Sequence, residues 1–242
     1  MNTKVVLEYD GAGFSGWQQQ VGRRTVEAEL KRALKDLTGK DHKVYGAGRT
    51  DAGAHALGQV ASFRLEGRIA VSKLADALNA RLPEDISVVS AEAVPDEFHA
   101  RFSARWRRYR YRYLDRRPRP ALERGLCWHV AQPLDERLMA EAAAILAGRH
   151  DWTSFCSPGE RNPIREMRSA KVAREGRFVE LELVAEGFLR GLARGIAGAL
   201  AEVGAGRRPP GWVGELMEAR DRSQAPKTAP ARGLTLVEVI YK

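Results

Sequence analysis

FHARFSARWRRYRYRYLDRRPRP, residues 98–120, alternates aromatic and basic side chains before breaking on Pro118 and Pro120. Successive side chains of a strand point to opposite faces, so this period-two pattern predicts a strand with two unlike faces. One reading presents Tyr109, Tyr111 and Tyr113, with the arginines between them, to RNA as stacking rings and phosphate-binding guanidinium groups. The other buries the rings and leaves the arginines in solvent. The two are compatible on opposite faces.

Working outward from that strand, the chain reads as short strands interspersed with helices. Toward the N-terminus, Val5, Val6, Leu7 and Tyr9 predict a strand that turns at Asp10-Gly11, followed by a glycine-rich loop from Gly11 to Gln20 that carries Phe14 and Trp17. Thr25 is a natural N-cap for a helix with Val26, Leu30, Ala33, Leu34 and Leu37 on one face and Gly39 at its C-terminus. Strands are expected at Lys43 to Ala47, Gln59 to Leu65 and Ile86 to Ala93, with a helix from Ser72 to Arg81 that Leu82-Pro83 ends. Beyond Pro120, strands are expected near Cys127 to Val130, at Arg165 to Ala173 and at Phe178 to Ala185, the last two joined through Gly176. Helices are expected at Asp135 to Ala147, Phe188 to Val203 and Pro210 to Ala219, and a closing strand at Thr235 to Tyr241. Hairpin-spaced strands of this kind point to an α+β architecture with largely antiparallel sheet, because doubly wound folds need a crossover helix between parallel strands. The organisation expected is an N-terminal α+β half, 1–105, and a C-terminal half, 106–242, without a visible linker or residue-level repeat.

With 242 residues, 44% hydrophobic and 29% charged, the chain has enough apolar material for a core and is not disordered or collagenous. Its 40 Lys+Arg against 31 Asp+Glu leave a formal net charge of +9, which favours a polyanionic partner. Of those 40 cations 31 are Arg, whose planar fork matches phosphate and stacks on bases. Solubility, or GC-rich coding in a chain also rich in Ala and Gly, would produce the same excess. Cys127 and Cys156 form no CxxC pair and join no His cluster, so no structural metal is expected and both thiols are read as buried and inert. The opening MNTKVVLEYD reads as a strand and not as a secretory signal, and no run approaches the ~18 apolar residues of a membrane span. A cytoplasmic location follows as an expectation.

Two further segments carry candidate chemistry. GAGRTDAGAHALGQVASF, residues 46–63, lies between expected strands and presents Arg49 and Asp51 from a glycine-laced loop. It lacks the Lys-Ser/Thr ending of a phosphate loop and the strand-to-helix turn of a dinucleotide fingerprint. Its glycines suit close backbone approach to a ligand, while a simple turn whose Asp hydrogen-bonds backbone fits the spacing as well. FLRGLARGIAGALAEVGAG, residues 188–206, is an apolar helix interrupted by Arg194. Buried, that arginine needs a carboxylate; facing solvent, it would pair with Glu218 or Asp221. His55, His99, His129 and His150 show no metal-ligand spacing, and no nucleophile elbow or Cys-His arrangement is present.

These pieces together resemble the tRNA pseudouridine synthase A family: LEYDGAGFSGWQQQ with RTVEAEL, GAGRTDAGAHALGQV, VPDEFHARFSARWRRYRYRY, DWTSFC, the Arg194 helix, and the closing AP..GLTLVEVIY. The resemblance implies the pseudouridine synthase fold, two ferredoxin-like halves sharing a mainly antiparallel sheet with a cleft between them. It also implies a homodimer acting on tRNA, without metal or cofactor, at uridines 38, 39 and 40 of the anticodon stem-loop. Matched residue by residue, the nucleophile is Asp51, the active-site tyrosine Tyr109 and the active-site arginine Arg194. Arg49, beside the nucleophile, is the candidate to hold the flipped-out backbone or fill the vacated space. The chain departs from the family pattern at Leu192-Ala193-Arg194-Gly195, where Met-Val-Arg-Asn is usual, and at Ala229-Pro230-Ala231-Arg232-Gly233, where a second proline is commoner.

The implied reaction breaks the bond from C1′ to N1 of uridine, turns the bound uracil and joins C1′ to C5. An aspartate can start it by attacking C1′ or through a glycal-like route, and the residues do not choose between them. On either route Asp51 works ionised, with Arg194 as counter-charge, while Tyr109 stacks on the uracil. Two other readings stay open: a non-catalytic RNA-binding protein using the tyrosine strand, and an N-glycosidase that releases uracil.

Overall fold

The computed structural model describes residues 1–66 and 69–241. They fall into two compact units, Met1–Arg105 with Leu236–Lys242 and Trp106–Thr235.

In the first unit β1 (Asn2–Tyr9) alternates as expected, with Val5, Leu7 and Tyr9 turned into the core. The helix α1 (Val26–Thr38) buries Val26, Leu30, Ala33 and Leu34. Gly39 closes it in the left-handed region at φ 72, and its N–H bonds the Lys35 carbonyl at 2.8 Å. Thr25 occupies the N-cap position, but its buried hydroxyl makes no cap bond. Glu27 does the work at this end: its carboxylate accepts from Gln18 Nε2 at 2.6 Å and Gln19 N at 2.9 Å and pairs with Lys31 at 2.7 Å. The strand expected at 43–47 shrinks to β2 (Tyr45–Gly46), whereas β3 (His55–Arg64) begins four residues before the expected 59. The expected helix at 72–81 becomes a 3₁₀ turn, Val71–Lys73, and α2 (Leu74–Asn79). Asn79 stops it by bonding both the N–H and the carbonyl of Val88, at 2.7 and 3.0 Å, on β4 (Ile86–Ala93). β1 runs antiparallel to β3 on one side and β4 on the other, and β2 pairs with β3.

In the second unit the alternating run forms β5 (Trp106–Asp115), followed by β6 (Trp128–Val130), α3 (Glu136–Ala144) and β7 (Gly148–Asp151). Then come β8 (Ile164–Glu175), β9 (Phe178–Ala185), α4 (Leu192–Gly204) and α5 (Trp212–Ala219). β5, β9, β8 and β7 are antiparallel neighbours in that order, and β6 joins β5 in parallel. β7 is absent from the sequence expectation: Gly-Arg-His-Asp has neither alternation nor β-branched residues, and its strand form comes from pairing with β8. α4 starts at Leu192 and not at Phe188, because Gly191 before it sits at φ 77, outside helical geometry. The closing β10 (Leu234–Ile240) lies beside β3, and from Leu236 onward it belongs to the first unit.

The tyrosine rings of β5 lie in the core of the second unit, with Tyr109 at 4%, Tyr111 at 1% and Tyr113 at 0% exposure. The reading in which they form a surface stacking row is therefore overturned for the isolated protein. The opposite face carries Arg108, Arg110 and Arg112, half-buried against β9. Arg112 Nε bonds Glu180 at 2.6 Å, with Arg110 Nε 3.9 Å from Glu180 and Arg108 Nε 3.8 Å from Glu182. Burial deprives a phenolate of water and so raises the pKa of the buried hydroxyls. Tyr9 is pushed up to about 12 by burial, against the opposing hydrogen bonds of Thr50 and Gln59. Tyr111 is raised by burial although Arg194 and Arg232 pull the other way, and Tyr113 is raised well above its ordinary value.

A tyrosine whose folded pKa exceeds its unfolded one contributes stability below the unfolded value of about 10, and that stability is lost as pH rises further. Three of the six tyrosines, Tyr9, Tyr111 and Tyr113, are therefore expected to ionise only together with unfolding in alkali. Tyrosinate absorbance followed beside circular dichroism checks this; six phenols titrating near pH 10 with the dichroism unchanged would contradict it.

Candidate active site

The Asp51 loop joins β2 to β3 and is held by its backbone from three directions. Gln59, fully buried on β3, donates from Nε2 to the Gly48 carbonyl at 2.8 Å. The Thr50 hydroxyl shares a 2.8 Å hydrogen bond with the buried Tyr9 hydroxyl of β1, and the Thr50 carbonyl accepts from Trp17 N at 3.1 Å. Gly53 N reaches the Phe14 carbonyl at 3.2 Å, and Ala54 N closes the turn on the Asp51 carbonyl at 3.1 Å. Asp51 itself is half-buried and Arg49 exposed.

Close packing of the 11–20 loop makes this clamp possible. Gly16 has φ +90, and a Cβ there would lie 2.6 Å from the Thr50 carbonyl oxygen and 3.2 Å from Ala52 N. Only glycine lets the loop lie flat against the residues flanking Asp51. Gly11 N donates to Nδ1 of the buried His55 at 3.1 Å, tying the other end of the same loop to the start of β3. Tyr9, Thr50 and Gln59 hold the Asp51 loop, a link the sequence reading did not draw. A lone glutamine in the apolar run Gly-Gln-Val-Ala-Ser-Phe was the available signal, since a buried amide must be placed to bond something.

In the second unit Arg194 sits in the first turn of α4, half-buried, and its Nε donates to the Ala229 carbonyl at 2.7 Å. Ala229 N returns a bond to the Arg194 carbonyl at 3.1 Å. Asp221, one of the surface partners considered for it, uses its carboxylate on Ser223 N and Oγ at 2.9 and 2.8 Å. The tyrosines of β5 hold the same neighbourhood in place. Tyr113 donates to the Ala197 carbonyl of α4 at 2.8 Å, and Tyr111 donates to the Pro230 carbonyl, next to Ala229, at 2.8 Å. Tyr109 packs edge-on against Phe188 with ring centroids 4.6 Å apart.

At Gly195, where Asn is usual in the family, a Cβ would lie 2.1 Å from the Phe155 carbonyl oxygen. The 151–156 segment fills that space. Trp152 Nε1 bonds the Arg165 carbonyl at 3.0 Å and Ser154 Oγ the Leu216 carbonyl at 2.5 Å. Both cysteines are buried, and burial pushes their thiols up, away from nucleophilic reactivity. Among the described residues no group of three or more His, Cys, Asp or Glu could hold a metal ion, and no helix is long and apolar enough to cross a membrane.

A family described as tRNA pseudouridine synthase matches residues 5–103 and 142–242. A tRNA pseudouridine synthase A of Thermoanaerobacter sp. (strain X514) is 40% identical over 242 residues, covering 99% of both chains. Those of Methylococcus capsulatus and Moorella thermoacetica are 45% and 43% identical, covering 100% and 98% of this chain and 90% and 98% of theirs. A solved chain from a Cbf5-Nop10-Gar1 complex is similar at TM-score 0.34 and 13% identity, over 82% of this chain and 54% of that one, too slight a likeness to carry an argument. These matches define the class as RNA-modifying isomerases. The chain belongs to the tRNA pseudouridine synthase family.

Because Gly16 fixes the distance between the 11–20 loop and Thr50, Gly16→Ala is expected to displace Asp51. Displacing a reacting group by about 1 Å costs on the order of a hundredfold in turnover. Steady-state kinetics on tRNA should show that fall in kcat with KM changed far less. Unchanged kcat would mean that the clamp does not position Asp51.

Proposed function

We propose that this protein converts uridine to pseudouridine at positions 38, 39 and 40 of the tRNA anticodon stem-loop, as a cytoplasmic homodimer without metal or cofactor. Asp51 is the nucleophile, and Tyr109, Arg194 and Arg49 bind the substrate. Residues 1–105 supply Asp51 and Arg49, and residues 106–242 supply Tyr109 and Arg194. The observation that carries the reading is the Asp51 loop itself, whose backbone is fixed through Tyr9, Trp17 and Gln59. That loop lies within residues 5–103, one of the two stretches that the family match spans, and a group that must meet a reacting carbon benefits from being held before substrate arrives.

The chemistry makes modest demands on other side chains. The bond from C1′ to N1 breaks, the uracil turns while bound, C1′ joins C5, C5 gives up a proton and N1 takes one. Nothing is oxidised or reduced, so the product has the mass of the substrate. Asp51 either bonds C1′ directly or assists elimination to a glycal. Tyr109, 4% exposed and packed edge-on against Phe188 in the free chain, supports the uracil by stacking only once its ring is uncovered as the base enters. Arg194, whose Nε is held by the Ala229 carbonyl, brings a planar guanidinium fork suited to an anionic group.

Asp51→Asn keeps the size of the side chain and removes its charge. It should abolish tritium release from tRNA carrying 5-tritiated uridine while tRNA binding persists; appreciable residual turnover would remove Asp51 from the nucleophile role. Free uracil among the products would identify an N-glycosidase instead. Tyr109→Phe should retain more activity than Tyr109→Leu if the ring stacks, and equal losses would shift the role to the hydroxyl. Binding through phosphates predicts that log affinity for tRNA falls with log salt by about 0.9 per phosphate contacted on duplex stem. A flat dependence would rule out electrostatic docking.

A further inference from the structure

Outside the Asp51 loop, the first unit carries a row of three rings at its surface that nothing above uses. Tyr45 of β2 lies against His99 with centroids 4.5 Å apart, and His99 lies against Phe102, also at 4.5 Å. Phe102 ends the row and is 77% exposed. Cations flank it at both ends: Lys43 Nζ is 5.1 Å from the centre of the Tyr45 ring, and the Arg101 guanidinium 5.6 Å from that of Phe102.

An exposed phenylalanine forgoes the stabilisation of burial, and a ring packed only to build a core would not be left at this level of exposure. The loop that carries it is nonetheless rigidly built. Ala100 N donates to Ser62 Oγ at 3.0 Å, and the Ala100 carbonyl accepts from the Tyr241 hydroxyl at 2.8 Å. The Phe98 carbonyl accepts from Asn2 Nδ2 at 2.9 Å. His99 N donates to Ser103 Oγ at 3.0 Å, and His99 Nδ1 accepts from Arg101 N at 3.1 Å. Because Nδ1 is an acceptor, the neutral imidazole carries its proton on Nε2. Ser62 also faces Tyr45 across the β2–β3 pair, so the strand paired with the one that carries Tyr45 fixes the loop that carries the other two rings.

We infer that Tyr45, His99 and Phe102 form a stacking platform for an unpaired base of the tRNA, with Lys43 and Arg101 holding the adjoining phosphates. The inference rests on the tRNA reading above and adds a contact away from the reacting uridine. Stacking on a preordered ring costs little conformational entropy, and flanking cations on a chain of net charge +9 select a polyanion over an apolar protein surface.

The test uses full-length protein carrying Asp51→Asn, so that binding is measured without turnover, and unmodified tRNA in a filter-binding titration. Adding Phe102→Ala should weaken binding by about tenfold, the order expected for one lost base–ring stack, and Phe102→Trp should restore it. Phe102→Ala should leave the salt slope unchanged, whereas Lys43→Ala should lower it by about one. Equal affinity of the Phe102→Ala and parent proteins overturns the platform while leaving the tRNA reading intact. Failure of the parent to bind tRNA at all overturns both. If Phe102→Ala instead halves the mass in sedimentation without changing affinity, the row is a contact between two copies of the chain and the platform is again overturned.

Discussion

A phenol hydroxyl taken out of water must find a partner, and in each unit that requirement ties a strand to a candidate site residue. An unsatisfied buried hydroxyl costs about 1–3 kcal/mol, more than the ~1 kcal/mol that a made hydrogen bond contributes, so the partner's position is set by avoidance of the penalty. Tyr9 binds Thr50 and with it the residue before Asp51. Tyr113 binds α4 at Ala197, one turn beyond Arg194, and Tyr111 binds Pro230, beside the carbonyl that holds Arg194 Nε. The strands supply flat, rigid frames, and the tyrosine hydroxyls transmit that rigidity to a loop in one unit and to a helix N-terminus in the other.

This division of labour reassigns the charges of the alternating run. Arg108, Arg110 and Arg112 look from sequence like a phosphate-binding row, yet β9 sets Glu180 and Glu182 among them. Arg112 Nε is hydrogen-bonded, while the 3.8 and 3.9 Å approaches of Arg108 and Arg110 Nε are longer ion pairs, and half-exposed pairs of this kind contribute at most about 1 kcal/mol each. The strand has a large architectural share, with rings inward and three arginines set against two glutamates outward. Other cations, among them Arg49, Lys43 and Arg101, are more exposed than these three.

Legibility in the sequence followed the range of the forces involved. Elements set by local pattern were readable: β4 matches its expected bounds, and α1 and β9 do so within a residue or less. Elements set by neighbours were not. β7 exists because β8 pairs with it, and α4 loses its expected first turn to the backbone of one glycine. Thr25 shows the limit of a composition rule, since the residue preferred at an N-cap stands there without bonding while Glu27 satisfies nearby amides. That Asp51 lies on a glycine-laced loop leading into β3 was legible in the spacing, whereas its assignment came from the family resemblance. The clamp was not, because Tyr9 lies 41 residues from Thr50 and alternation alone assigns a Tyr to a face without naming its partner.

Gly195 shows how such a clamp constrains substitution. An asparagine at this position would need space that the Phe155 carbonyl occupies. The 151–156 segment is pinned independently by Trp152 to Arg165 and by Ser154 to Leu216, so it cannot retreat without breaking two hydrogen bonds of buried side chains. At Gly195 the backbone of α4 instead packs directly against the 151–156 segment. Arg194 is held by backbone carbonyl and helix position, supports that do not depend on the identity of residue 195. A site whose charged groups are fixed through main-chain atoms tolerates such exchanges as long as the main chain stays put, and the buried tyrosine hydroxyls are what keep it there.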